Sequence, residues 1–200
     1  HIKEKDDWWI PFIVMVVISI LMMIYMSPAI TRLTAQRMAE LGAEGELPRA
    51  LDMIRYISVP VGIIINWLFV ALIIWMFTNS FGADWKYIKA LDLFAYSSVV
   101  IIIKQILNFI VLLIRGLPNV TSFRDLGLKT GLDMFIQPEN QRLYVLVSNI
   151  DLFQIWLFTL IAFGISEITG LPRKKSAIAA ILTFLISLGF KLIFAQRGMM

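Results

Sequence analysis

The chain contains no cysteine, and its single histidine is the first residue. The missing thiols exclude disulfides, thiol nucleophiles and thiolate metal sites. Without an internal His or Cys, zinc, haem and iron–sulfur chemistry and His-based acid–base catalysis have no ligands or bases to work with. No metal, no cofactor and no enzymatic activity are therefore expected. His1 lacks a preceding Met and reads as a cloning scar or a trimmed terminus. Charge is also scarce, at 16% of residues against about 25% in an average soluble protein. The net charge of +4 is modest and forms no basic stripe, so nucleic acid is not expected as a partner.

What the chain does have is apolar side chains. They make up 59% of 200 residues, and mean hydropathy is +0.80. That composition excludes disorder and ordinary water-soluble globules alike, and implies an integral membrane protein. Runs of about 20 apolar residues suffice to cross the hydrocarbon core as helices. A helix pairs its own backbone groups, as lipid requires. Five such runs occur, at 8–30, 58–82, 93–114, 151–170 and 176–196. The expected fold class is all-α: a polytopic integral membrane helical bundle of five transmembrane helices, with amphipathic helices in the two long loops, forming a single domain over 1–200. The first run is too long and too acidic in its leader for a signal peptide, and reads as a retained helix.

Five spans put the termini on opposite sides. The N-tail and two short turns carry seven basic residues: Lys3, Lys5, Lys86, Lys89, Arg173, Lys174 and Lys175. The two long loops and the C-tail carry nine: Arg32, Arg37, Arg49, Arg55, Arg115, Arg124, Lys129, Arg142 and Arg197. The seven sit on far fewer residues, and short loops dominate orientation. The N-terminus is expected to be cytoplasmic and the C-terminus outside, in a plasma membrane.

The first long loop places Met38, Leu41, Leu47, Leu51 and Ile54 at spacings of three and four, among Arg37, Glu40, Glu44, Glu46 and Asp52. This predicts one or two amphipathic helices, broken near 42–45 and Pro48. The second has turn signals at Pro118, Gly127, Gly131 and Pro138, with Leu126, Leu128, Leu132, Met134, Phe135, Leu143, Val145 and Leu146 among them. Such segments lie on the membrane surface, cap the bundle or form a docking platform. No internal repeat of the transporter kind is visible.

Charge at membrane depth is costly and therefore informative. Lys104 falls midway along the third run, beside Gln105 and one turn from Asn108. In one reading these three, with Asn66, line a polar cavity or a partner contact. In the other, Lys104 is bonded to carbonyls or amides, or snorkels to the boundary. Asp151 and Lys191 are expected to pair or, preferentially for Asp151, to cap the fourth helix. Glu167 and Arg173 are candidates for a boundary ion pair. Gly164, Ser166, Ala177, Ala180 and Gly189 suit helix packing, and Met15, Met22, Met23 and Met26 suit packing or lipid.

Three segments carry a family resemblance: FGADWKYIKALDLFAYSSVV at 81–100, NIDLFQIWLFTLIAFGISEITGLPRKK at 149–175, and the closing span after KKSAIAA. Together they resemble the prokaryotic branch of the Yip domain family, the Ypt/Rab-interacting proteins, best over 81–194. Asp151, Phe153 and Trp156 match the strongest motif. The proline that family members often carry after the tyrosine-and-small-residue stretch is missing at Val99–Val100, so a kink there is expected to be absent or milder. The resemblance implies five helices, a cytoplasmic N-terminus and no catalytic residue set. It links eukaryotic members to vesicle traffic and small GTPases; prokaryotic ones lack that setting, and some resemble accessory parts of ABC-type export systems. The expected role is a non-enzymatic scaffold or adaptor, an accessory to transport or export. Its expected partners are membrane lipids and other membrane proteins, including a homo-oligomer or an ABC-type transporter. The alternative is a transporter, channel or lipid-moving protein built around Lys104.

Overall fold

A computed structural model describes residues 7–40, 42 and 49–194. His1, Lys3, Lys5, Leu41, Glu44, Gly45, Glu46, Leu47, Pro48, Arg197 and the last two residues of the fifth expected span lie outside them. Regular structure among the described residues is helical: α1 Trp9–Glu40, α2 Arg49–Ser80, α3 Tyr87–Ser97, α4 Val99–Arg115, α5 Gln141–Asn149, α6 Leu152–Thr169 and α7 Arg173–Phe194, with three short 3-10 turns between α4 and α5. Five segments are long and apolar enough to cross a membrane: Trp9–Glu40, Tyr56–Ser80, Tyr87–Arg115, Leu152–Thr169 and Arg173–Ile193. Within an apolar 18-residue stretch of each, only 17–28% of the residues are buried within the protein. Side chains this apolar and this exposed require lipid around them. The protein is therefore an all-α integral membrane protein.

One feature of the spans differs from expectation, and a second is a local detail that no expectation covered. The amphipathic stretches of the first long loop are not separate helices. α1 runs unbroken through Pro28 to Glu40, and α2 starts at Arg49 and continues into its span. At 32 residues each, these helices are about 48 Å long and overreach the hydrocarbon core. Their polar ends, such as Arg37 and Glu40, stand exposed. The second feature is at Ser98. The third span is interrupted there despite the absence of proline, with Ser98 at φ −69° and ψ −4°. Its buried hydroxyl donates to the Ala95 carbonyl at 2.7 Å. A serine hydroxyl bonded back in this way competes with the helix's own ladder, while the Ser98 N–H still donates to the Phe94 carbonyl at 2.9 Å.

Contacts gather into two compact units. The first comprises His1–Pro11, Asn66–Ile101 and Lys129–Met200. In it α6 and α7 run antiparallel, joined by a tight turn. Gly170 ends α6 in the left-handed region at φ 70°, a conformation glycine adopts without penalty. α6 also packs on α3, where Gly164 leaves a notch for Leu93. Trp67 meets Phe94 edge-on at 6.0 Å, and Phe69 meets Phe190 at 4.7 Å. Trp67, Ile74, Leu91, Ile161 and Ile165 form its buried interior.

The second unit comprises Phe12–Ile65 and Ile102–Leu128. Its core is Ala29, Leu33, Leu112, Val120 and Leu126. Tyr25 stands edge-on to Phe109 at 5.1 Å. Arg32 donates to the carbonyls of Leu117 and Val120 at 3.1 and 2.5 Å, fastening the first 3-10 turn to α1. Asp125 collects the Ser122 N–H at 3.0 Å and the Ser122 and Thr121 hydroxyls at 2.8 and 3.1 Å, which shapes the second.

Candidate functional site

The first unit carries two features with chemical content. One is a tied-down end where Asp7–Pro11, the turn at 81–86 and the turn at 170–172 lie. Thr78, fully buried, donates to the Ile74 carbonyl at 2.8 Å and accepts the Trp85 indole N–H at 2.8 Å. The Trp75 indole donates in return to the Trp85 carbonyl at 2.9 Å. The Tyr87 hydroxyl donates to the Leu68 carbonyl at 2.9 Å, and its ring stands edge-on to Trp75. Asp92 accepts the Trp8 backbone N–H at 3.1 Å and pairs with Lys89 at 3.6 Å, which fastens the entering chain to α3. Lys175 donates to the Phe81 carbonyl at 3.1 Å, which fastens α7 to the α2–α3 turn. Around these ties Lys86, Arg173 and Lys174 stand exposed. The end is thus a rigid aromatic floor with cations at its edge. Amphipathic rings and basic side chains suit a membrane boundary in this arrangement.

The other feature is a groove of about 560 Å³ between α6 and α7. Phe158, Thr159 and Ala162 line one wall, and Ala177, Ile181 and Phe184 the other. Phe158 and Phe184 touch edge-on at 5.2 Å across its floor. Arg173 stands at one end, and Asn149 and Gln154 at the other. Its lining runs from Gln154 to Phe163 on α6 and from Arg173 to Phe184 on α7, about 14 and 17 Å of helix rise.

The residues singled out from sequence are distributed as follows. Lys104 is half-buried on α4 in the second unit. Gln105 donates to Ser19 at 3.0 Å, and Asn108 donates to the Leu126 carbonyl at 2.9 Å. Both amides thus take part in joining α4 to neighbouring segments of that unit. Asn66 is exposed and falls in the first unit. The α6/α7 groove is lined by none of these four. Asp151 is buried as the N-cap of α6, accepting the Gln154 N–H at 2.8 Å. Lys191 reaches the Asn149 side-chain oxygen at 2.6 Å, two residues before that cap. Glu167 and Arg173 are both exposed. Phe153 is buried and Trp156 is half-exposed. Among the described residues no three His, Cys, Asp or Glu side chains gather within reach of one metal ion.

Sequence reasoning missed the Trp75–Thr78–Trp85 lattice and the α6 wall of the groove. The first was signalled by two tryptophans ten residues apart on either side of a glycine-bearing turn in WMFTNSFGADWKY. The second was signalled by Thr159 and Ala162, small residues three apart on the helix that precedes Ala177 and Ala180.

No curated protein and no solved structure matches the chain. The Yip1 domain matches residues 1–195, nearly the whole length, and the chain belongs to that family.

Proposed function

We propose that this protein is a non-enzymatic integral membrane scaffold or adaptor, an accessory to membrane transport or export machinery. The observation that carries the reading is the α6/α7 groove. It is apolar, carries the small residues Thr159, Ala162, Ala177 and Ala180 beside the Phe158–Phe184 contact, and is bounded at one end by Arg173. Helices associate in lipid through close packing at small residues and through polar groups at the contact, because lipid tails supply no hydrophobic drive. A partner's transmembrane helix meets both conditions here if its end carries an acidic residue opposite Arg173. Candidate partners are other membrane proteins, an ABC-type transporter and a second copy of this chain among them.

In this reading the protein sits in a prokaryotic plasma membrane, with its N-terminus and the aromatic–basic end on the cytoplasmic side. The density of Lys86, Lys89, Arg173, Lys174 and Lys175 on two short turns supports that orientation.

The chain has no native cysteine, so single cysteines report one place each. Thr159→Cys and Ile181→Cys in the groove should both crosslink to one polypeptide in native membranes, while Val17→Cys on α1 should not. Arg173→Glu should weaken the crosslink. Crosslinks to lipid alone, with the protein running alone in several mild detergents, would refute the adaptor role.

A further inference from the structure

The sequence 131–136, GLDMFI, forms a turn that is closed by its own hydrogen bonds. The Met134 and Phe135 N–H groups donate to the carbonyls of Gly131 and Leu132 at 3.1 Å, and the Ile136 N–H donates to that of Leu132 at 2.9 Å. Asp133 accepts the Gly131 N–H at 3.1 Å. The polarity of the turn is inverted. Asp133 is only 4% exposed, whereas Met134, Phe135 and Ile136 are 64%, 82% and 56% exposed, and Leu132 is exposed too. A water-facing turn places its carboxylate outward and its large apolar groups inward. Four consecutive-turn apolar side chains facing out around a buried acid mark a surface that is covered by something apolar.

The position of the turn says what covers it. Gly131 pairs by a backbone bridge with Asp151, and Leu132 donates to the Ile150 carbonyl at 3.2 Å. Asp151 is the N-cap of α6. α6 is just long enough to cross the hydrocarbon core, so its cap stands at the membrane boundary. The first turns of α6 continue the same apolar surface, with Leu152, Ile155 and Trp156 exposed. α5, which follows the turn, adds exposed Leu143 and Leu146 beside Arg142. That order of apolar contact and flanking base is how segments lying in a membrane interface are built.

We infer that residues 132–136 are an interfacial anchor, seating Met134, Phe135 and Ile136 in the lipid leaflet on the Asp151 side of the membrane. The anchor holds the second long loop against the bilayer and fixes the depth at which the shortest span begins. Asp133 acts as a positioning residue: by bonding Gly131 from inside, it turns its neighbours outward. The anchor is independent of the adaptor reading, because it concerns lipid at the surface of the turn and no partner in the groove.

A nitroxide label on single cysteines tests it in the full chain, reconstituted into phosphatidylcholine bilayers. At Phe135→Cys, collisions with oxygen should exceed those with a water-soluble nickel chelate several-fold. At Asp84→Cys, in an exposed turn, the chelate should collide more often. A label at position 135 as open to the chelate as position 84 would overturn the inference. So would a label at 135 shielded from both reagents, which would mean protein contact. A second variant guards against a label that seeks lipid by itself: Phe135→Asp, read from Ile136→Cys, should raise chelate access at 136. Unchanged access there would also overturn it.

Discussion

Gly131→Ala is the substitution whose cost the structure fixes most directly. A Cβ at this position would sit 2.5 Å from the Ile150 carbonyl oxygen, 2.8 Å from the Asp151 Cβ and 3.1 Å from its Cα. Two of these are backbone atoms, so no rotamer change makes room. The backbone itself, at φ −121° and ψ −156°, is open to alanine. The penalty is therefore contact, not torsion. Either the turn stays and is overpacked, at about 1–3 kcal/mol, or it lifts away. Lifting gives up the Leu132 N–H to Ile150 bond, about 0.5–1.5 kcal/mol, and loosens the Asp151 cap, about 0.5–2 kcal/mol. Alanine's stiffening of the unfolded chain returns about 0.4–1 kcal/mol. A net loss of about 1–2 kcal/mol follows. Reversible unfolding in mixed micelles of rising denaturing-detergent content, followed by helical ellipticity, measures it. Gly127→Ala is the control, since its Cβ would meet nothing within 4 Å and only the unfolded-state gain of about 0.4–1 kcal/mol remains. If Gly131→Ala proved as stable as Gly127→Ala, the close approach of this turn to α6 would be refuted.

Two other substitutions probe packing and polar fastening. At Gly164 a Cβ would lie 2.2 Å from the Leu93 Cδ1, so Gly164→Ala should destabilise the protein by about 1–2 kcal/mol through overpacking, and in a Leu93→Ala background the same substitution should cost little; a strictly additive double mutant would refute contact at that notch. Arg32→Ala removes two bonds to the Leu117 and Val120 carbonyls and should cost about 1–2 kcal/mol, less than two buried charged bonds because the side chain is exposed. Arg32→Lys should not restore it, since one ammonium cannot reproduce the guanidinium fork; full recovery by lysine would show that charge alone matters there.

The number and placement of the spans were legible because one physical requirement sets them: about 20 apolar residues per crossing. Their ends were less legible. α1 overruns its apolar stretch by ten residues because the helix, once started, continues through polar sequence until the region near Gly42, whose φ is 72°. Periodicity in 31–40 showed a helix but could not show that it was the same helix. The break at Ser98 was unreadable for a related reason: proline is a visible interrupter, whereas a serine that bonds its own backbone is indistinguishable in sequence from one that packs. For the site, sequence pointed at charge in the third span and at the Asp151 motif, because those residues are anomalous where they stand. It did not point at the α6/α7 groove, because nothing in it is anomalous. A groove is a relation between two helices, and Phe158, Thr159 and Ala162 acquire meaning only opposite Ala177, Ile181 and Phe184.

The two faces of α6 differ in a way that separates stability from use. Toward α3, the Gly164 notch is filled by Leu93, and Phe153, Leu157, Ile161 and Ile165 are buried. Toward α7, Ala162 and Ala177 leave space despite the Phe158–Phe184 contact. A helix pair selected for cohesion alone closes such a space, since unfilled volume forfeits dispersion contacts on both walls. Larger side chains at Ala162 should therefore have opposite effects on the two properties. Ala162→Leu should raise resistance to denaturing detergent by up to about 1 kcal/mol, in the range that cavity filling commonly yields, and should abolish the crosslinks at Thr159→Cys and Ile181→Cys. If Ala162→Leu stabilised the protein and left those crosslinks intact, the groove would be a packing defect and the partner would bind elsewhere. If it destabilised the protein by more than about 1 kcal/mol, the space would already be closed by the helices themselves, and the groove would have no room for a partner.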